Sequence, residues 1–245
     1  MKTRRRNDLP FPHVWRRFSR TTGSGETLKF KIQDCPEEMY DDLMDFMIKY
    51  FMRDETWNKA LGIGDEELAI KEFTQMQSSL FAEKLVLICL SDDGIEYDLK
   101  INKPKILGFS LMTSIHIDDP PRDLVIKSNA IRKLFEMFEE MDKHNDIFER
   151  YNVKEYLGDA GLSVGPDARG LGLGKELLMG RIDVAKSMGL KIIEATFTSH
   201  ISQGVAEKCG FETVADVPYR EFEKTMDFDF KTVSESIKIM AYVVK

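Results

Sequence analysis

Cysteine is scarce in this sequence. Cys35, Cys89 and Cys209 are odd in number and far apart, a pattern that argues against a disulfide framework and fits reduced thiols. They lack the paired spacing of a zinc site. His13, His116, His144 and His200 are scattered without a helical metal motif, so no metal is expected. Long apolar runs are missing too: none approaches the ~20 residues that cross a bilayer, and no membrane partner is expected. The basic start, Met-Lys-Thr-Arg-Arg-Arg, leads into no apolar stretch; the expectation is a cytoplasmic protein with no secretory signal. A basic excess is also absent. With 35 Lys and Arg against 42 Asp and Glu, the formal charge is −7, which argues against a nucleic-acid partner. An acidic balance permits a cationic substrate, although most of these carboxylates read as solvated faces. At 245 residues the chain can bury a substantial core.

The most informative stretch is residues 161–175, Gly-Leu-Ser-Val-Gly-Pro-Asp-Ala-Arg-Gly-Leu-Gly-Leu-Gly-Lys. It reads as an apolar strand, a turn at Gly165 and Pro166, and a glycine-rich loop that opens a helix. Unpaired N–H groups and the dipole at a helix start favour an anion, and glycines let backbone approach it closely. Two phosphate loops fail on spacing. Gly174-Lys175 is followed by Glu176 rather than Ser or Thr, and the first Walker glycine position holds Arg169. The dinucleotide pattern Gly-x-Gly-x-x-Gly meets Lys175 or Leu177 at its last position. What remains is Arg-x-x-Gly-x-Gly, from Arg169 to Gly174, between a strand and an amphipathic helix. A tight turn with no ligand is the competing reading.

Taken in order, residues 1–26 read as a basic arm, either an interaction tail or a segment that packs Trp15 and Phe18 on the domain, and residues 27–245 as a single domain. Alternation predicts a strand over 27–33. Asp34 reads as a helix N-cap with Pro36 in the first turn, and the helix runs to about Met52, with Met39, Leu43, Phe46, Met47 and Tyr50 inward. A second helix is expected from Asp65 to about Glu83, with Leu68, Phe73, Met76 and Leu80 inward. Strands are expected next at 85–90 and 106–116, the latter ended by Asp118-Asp119-Pro120-Pro121. One long helix is expected over 128–150, capped by Ser128 or Asn129, with Ile131, Leu134, Phe135, Phe138 and Met141 inward. The remaining expectations are a strand at 156–164, a helix at 171–188, a strand at 191–198, a short helix at 199–208 ended by Gly210, and strands at 211–217 and 236–244.

The Arg169–Gly174 spacing after a strand resembles the acetyl-CoA pyrophosphate loop of the GNAT superfamily of N-acetyltransferases. A second element, Ser202-Gln203-Gly204-Val205-Ala206-Glu207-Lys208-Cys209-Gly210-Phe211, resembles the family's Ala-x-x-Leu-Tyr-x-x-x-Gly-Phe. Ala206 replaces its tyrosine, the common acid for the departing CoA thiolate, so that proton must come from elsewhere. Three further stretches resemble the insect arylalkylamine N-acetyltransferases. Phe51-Met52-Arg53-Asp54-Glu55-Thr56 is similar to their Phe-x-x-Asp-Glu-Pro. Thr198-Ser199-His200-Ile201-Ser202 is similar to their Ser-Ser-His-x-Ser, and Ile237–Ala241 to their closing strand.

The resemblance implies an α/β (α+β) GNAT fold: a mixed, mainly antiparallel central sheet flanked by helices and splayed at the acetyl-CoA site. It implies acetyl-CoA as co-substrate and no metal. Leu162, Ser163 and Val164 are then expected to bond the pantetheine by their backbone. Arg169, Gly170, Leu171, Gly172, Leu173, Gly174 and Lys175 are expected to hold the pyrophosphate. Glu55 is implied as general base, with Asp54 in support, and Thr198 and Ser202 as hydroxyls beside the thioester. Competing readings stay open: a salt bridge of the Asp54–Glu55 pair with Arg53, helix capping by Thr198 or Ser202, a structural His200, and Tyr219 as an alternative acid. Phe46, Tyr50, Phe51 and Trp57 are available either to the core or to an acceptor pocket. The expected partners are acetyl-CoA and a small amine, and a monomer is expected. The alternatives are a GNAT acyltransferase for a polyamine, an amino acid or a longer acyl chain, and a CoA-binding protein with decayed activity.

Overall fold

Alternating burial along the strands separates two apolar cores. In the computed structural model, which describes Arg5 and residues 8–120, 125–232 and 234–245, Val86, Ile88 and Leu90 join one core while Leu85, Leu87 and Cys89 join another. Successive side chains of a strand point to opposite faces, so the cores lie on the two faces of one sheet. The strands are β1 (Val14–Thr21), β2 (Thr27–Asp34), β3 (Val86–Ser91), β4 (Gly108–His116), β5 (Glu155–Val164), β6 (Ile192–Phe197), β7 (Glu212–Pro218) and β8 (Ser236–Val243). Among the described residues they form one sheet in the order β1-β2-β3-β4-β5-β6-β8-β7. All neighbours are antiparallel except β5 and β6.

The helices are α1 (Tyr40–Phe46), α2 (Met52–Asp54), α3 (Thr56–Ala60), α4 (Glu67–Phe81), α5 (Asn129–Asp142), α6 (Ile147–Tyr151), α7 (Leu173–Met188), α8 (His200–Lys208) and α9 (Tyr219–Met226). Residues from α1 to α5 and from α9 contribute to the first core. Those of α7 and α8 contribute to the second. The mixed, mainly antiparallel sheet with flanking helices is the expected architecture. The expected splay is also present: the parallel β5–β6 ladder has a single register pair, Leu157↔Ile193. Beyond it the strands part, toward the loop that opens α7.

Several expectations change. The arm read over residues 1–26 enters the sheet at Val14, because its apolar and charged residues both find partners. Phe18 stacks on Phe30 at 5.4 Å, and Trp15 Nε1 donates to Asp34 Oδ1 at 2.7 Å. Arg16 and Arg20 reach Glu176 on α7, and Arg17 reaches Asp92. The rest of that arm, residues 1–4, 6 and 7, and Pro121 of the expected strand end, lie outside the described residues. Asp34 is not a helix cap. It ends β2, and its buried carboxylate takes Arg5, the His13 N–H and Trp15.

The first long helix is not one regular run. Between α1 and α2 the backbone widens into a π-helical turn, Met47–Phe51, a feature that often accompanies functional sites. The helix expected over 128–150 is two. The Asp146 side chain caps α6 by accepting the Glu149 N–H, and aspartate favours this over a helix interior. Leu68 and Phe138, both expected inward, are 39% and 43% exposed, although the Phe138 ring touches Trp57 edge-on at 5.4 Å. α3 and α9 are short helices absent from the expected elements, although Tyr219, Phe222 and Met226 of α9 follow the helical period and face the first core.

Candidate active site

Glu55 stands where the helical run of α1 and α2 stops and α3 begins. Its extended backbone, φ −64° and ψ 139°, makes it the N-cap of α3, and its Oε2 accepts the Asn58 N–H at 2.9 Å. Thr56 therefore occupies the first helical position, where proline is favoured. The departure from Asp-Glu-Pro leaves this start intact. Burial pushes the Glu55 carboxyl above the ordinary carboxylate range, with Asp159 adding to it, against hydrogen bonds from Thr198 and the Asn58 and Trp57 backbone. Desolvation disfavours the charged form, so the group is a stronger base than a surface glutamate.

Thr198 comes directly after the last residue of β6, 143 positions away from Glu55 in sequence, and its Oγ1 donates to Glu55 Oε1 at 2.5 Å. The Thr198 carbonyl accepts the Tyr219 hydroxyl at 2.8 Å. Tyr219 is 3% exposed, and burial first and Glu55 second push its phenol upward. Its proton is committed to Thr198, which argues against Tyr219 as the acid. Ser199 is the N-cap of α8, accepting the Ser202 N–H. Ser202 Oγ is also engaged there, 2.9 Å from both the Ser199 hydroxyl and its carbonyl oxygen. The structure thus brings Glu55 and Thr198 together and ties Ser202 to the adjoining helix terminus.

On the cofactor side, Leu162, Ser163 and Val164 pair with Ser110, Phe109 and Gly108 of β4. Their other edge has no β6 partner, since the β5–β6 ladder among the described residues is the single Leu157↔Ile193 pair. Gly170 and Gly172 adopt left-handed backbone, φ +80° and +73°, and Gly172 is the N-cap of α7. A Cβ at Gly170 would meet nothing within 4 Å, and one at Gly174 only Val164 at 3.9 Å. Leu171 and Leu173 pack into the core on the α7 face, which aims the intervening backbone outward. Lys175 is exposed. Arg169 donates from Nε to the Val164 carbonyl at 3.1 Å and pairs with Asp54. The loop guanidinium is thus bridged to the residue beside Glu55, while Arg53 turns to Asp65 instead. These residues fit a pyrophosphate: an open helix N-terminus, glycines without steric bulk and two cations.

The other candidates fall into place. His200 is an exposed residue whose N–H and ring bond Ser234. Cys209 is buried, and burial raises its thiol, so it is a poor nucleophile. Ala206 is fully buried in the core on the α7 face, and no hydroxyl replaces the missing tyrosine there. Phe46, Phe51 and Trp57 are core residues, and Tyr50 is partly exposed against the same core. The Trp57 Nε1 is buried without a hydrogen-bond partner, and its ring lies parallel to Phe222 at 5.8 Å. Two features were not evident in the sequence: Arg20, whose Nε donates to the Leu171 carbonyl at 3.1 Å, and the pair of the buried Arg181 with the half-buried Asp159. An arginine amid the apolar positions of α7 was the available signal for the latter.

Comparison with known proteins places this geometry in a family. Residues 141–211 match the acetyltransferase (GNAT) family, which marks that segment as GNAT acetyltransferase sequence. It is similar to a protein classed as insect arylalkylamine N-acetyltransferase 7 of the yellow fever mosquito, Aedes aegypti. That likeness has 28% identity, a TM-score of 0.88 and coverage of 99% of each chain. It is also similar in fold to arylalkylamine N-acetyltransferase 2 of Aedes aegypti, with 20% identity, a TM-score of 0.75, and 88% of this chain and 99% of that one covered. A polyamine N-acetyltransferase of Drosophila melanogaster shares the fold at 14% identity and a TM-score of 0.70, over 87% of this chain and 99% of that one.

Proposed function

We propose that the chain transfers the acetyl group of acetyl-CoA directly to the primary amine of an arylalkylamine, of the dopamine, serotonin, tyramine and octopamine class. The observation that carries this reading is the Thr198–Glu55 hydrogen bond at the end of β6, where the sheet opens beside a phosphate-type loop. The likeness to the mosquito protein over almost the whole chain supports the acceptor class.

An alkylamine with a pKa near ~10 arrives protonated and does not attack a thioester until it loses a proton. Glu55 takes that proton, directly or through one water. Its burial brings its proton affinity closer to the amine's, and its negative charge draws the ammonium in. Acetyl-CoA supplies the thioester that the free amine attacks: the N–C bond forms and the C–S bond breaks. Of the two protons the nitrogen gives up, Glu55 passes the ammonium proton to solvent and then takes the second from the nitrogen after attack, and that second proton goes to the sulfur, so that CoA leaves as the thiol. Thr198 Oγ1, which donates to Glu55, hands its hydroxyl proton toward the departing sulfur and takes the proton that Glu55 has gained. This assignment replaces the tyrosine lost at Ala206. Ser202 joins the proposal through Ser199, in the helix terminus next to Thr198. Arg169 to Lys175 hold the pyrophosphate, and Leu162 to Val164 the pantetheine. No covalent acyl-enzyme is invoked, consistent with the raised Cys209 thiol. The same reading treats the chain as a cytoplasmic monomer without nucleic-acid or membrane partners, and that part rests on composition alone.

A panel of amines assayed for CoA release tests the acceptor class. Turnover with dopamine or serotonin supports it. Turnover confined to spermidine or an amino acid overturns the arylalkylamine reading and leaves the transferase. Tight CoA binding with no turnover across the panel leaves only a binding protein. Thr198 has its own test. Thr198→Val keeps the shape and removes the hydroxyl. Loss of a hydrogen bond to a charged group, ~1.5–3 kcal/mol, should lower kcat by ~10- to 100-fold, and Thr198→Ser should stay near the parent. Equal turnover in Thr198→Val would remove the relay.

A further inference from the structure

We infer that Arg181 and Asp159 are positioning residues that hold open the strand against which acetyl-CoA lies, by pinning the bulge in β5. The inference rests on the acetyl-CoA reading of the splay. Leu111 of β4 pairs with Gly161, while Met112 pairs with Asp159. Ala160 is therefore an extra residue in β5, the mark of a β-bulge, which bends a strand and re-aims its continuation. Here that continuation is Leu162–Val164, the backbone proposed for the pantetheine.

Four hydrogen bonds fix this bend. Asp159 Oδ1 accepts the Gly161 N–H at 3.1 Å, closing a turn over the extra residue. Arg181 NH2 donates to the same Oδ1 at 2.7 Å. Arg181 also donates from Nε and NH2 to Ser110 Oγ on β4, at 3.2 and 2.8 Å. One guanidinium from the cofactor helix thus grips both strands at the bulge. The other face is closed by an aromatic ring. Gly161 has φ +132°, and a Cβ there would come within 2.8 Å of Phe51, the last residue of the π-helical turn leading toward Glu55. The bulge is held between α7 on one face and the segment of the general base on the other.

The Arg181 side chain is 1% exposed, and its NH1 has no hydrogen-bond partner. A buried guanidinium with an orphaned donor, paired with a carboxylate that is only half-buried, is a poor device for stability, since desolvation opposes it and apolar residues of the same volume often serve as well. A planar fork that fixes two strands at once is a good device for geometry. Displacing a reacting centre by about 1 Å can cost ~10²-fold in rate. The role is therefore to set where the thioester carbon rests relative to Glu55 and Thr198.

The test uses Arg181→Lys, which keeps the charge but not the fork, and Ser110→Ala, which removes the β4 anchor and leaves the charges alone. Hydrogen exchange of the ligand-free protein over residues 159–164 should speed up by ~10-fold in both, reporting local opening of that strand. In steady-state assays kcat should fall by ~10-fold or more while KM for acetyl-CoA moves less, because the pyrophosphate loop is untouched. If Arg181→Lys does not melt cooperatively, Ser110→Ala decides. Parental exchange over 159–164 and parental kcat in a folded variant would overturn the inference. If the parent itself turns over no amine, the acetyltransferase reading fails, and hydrogen exchange alone still decides whether this pair pins the bulge.

Discussion

Glu55→Gln lowers kcat by ~10²-fold or more at neutral pH, the scale on which a general base contributes, while the protein stays folded. Glutamine keeps the shape and an oxygen that accepts the Asn58 N–H, so the start of α3 survives. It removes the proton acceptor. Two further measurements distinguish this from general damage. The first is the pH profile of kcat with saturating substrates. Burial raises the Glu55 carboxyl, so the parent loses activity as the pH falls through a value above the ordinary ~4.3 of glutamate. That acid limb should vanish from the residual activity of the variant. The second is stability. A carboxyl whose folded-state pKa is raised binds its proton more tightly in the folded protein. It favours folding at low pH, and that contribution is lost as the pH rises through the folded-state value. At neutral pH Glu55→Gln should therefore melt at or above the parent temperature. A variant that keeps parental kcat, or that loses activity only by unfolding, would take Glu55 out of the mechanism.

Arg169→Ala weakens CoA binding by ~10- to 100-fold, the scale of one charge-assisted hydrogen bond to an anion. Its kcat at saturating acetyl-CoA falls much less. The guanidinium is half exposed and shared with Asp54, so it is available to a phosphate at the mouth of the loop. Two controls make the test specific. Raising the salt concentration should weaken the parent's affinity more than the variant's, because an exposed cation is screened. Asp54→Asn frees the guanidinium from its carboxylate and should leave CoA binding equal or tighter. Calorimetric titration with CoA reads all three. Unchanged affinity in Arg169→Ala would move the anion site away from this loop.

Much of the fold could be read from the sequence because burial wrote itself into periodicity. The apolar runs around β3, β4, β5 and β6 and the glycines before α7 announced a strand–loop–helix unit in the middle of the sheet. β1 was hidden by its charge. Arg16, Arg17 and Arg20 look solvated in a linear reading, yet the fold brings Glu176, Asp183 and Asp92 to them. Only tertiary structure reveals those carboxylates. The break between α5 and α6 turned on Asp146 preferring to cap, a local effect that an apolar face spanning both helices obscures. Phe138 kept the helical period but lies at its edge, exposed on one side and touching Trp57 on the other.

The candidate site divides in the same way. Its phosphate end is a local motif, and spacing alone excluded two other phosphate loops. Its chemical end is not local. Glu55 lies at a helix junction with a π-helical turn that no periodicity foretold, and its partner Thr198 stands 143 positions away in sequence, just past the end of β6. Resemblance supplied both residues, and the structure supplies the bond between them. The Arg181–Asp159 pair was invisible for a third reason. A charged side chain inside an apolar helix face reads as an isolated exception until its partner on β5 is known.

Direct transfer to nitrogen, with Glu55 as base, is the central claim. Mass spectrometry of the products formed from acetyl-CoA carrying a labelled acetyl group tests it most directly. With dopamine or serotonin the parent should yield an amine heavier by one labelled acetyl group, attached at its primary nitrogen, and Glu55→Gln should yield far less in the same time. Recovery of every amine unchanged while the protein binds acetyl-CoA, or equal labelling by parent and Glu55→Gln, would contradict it.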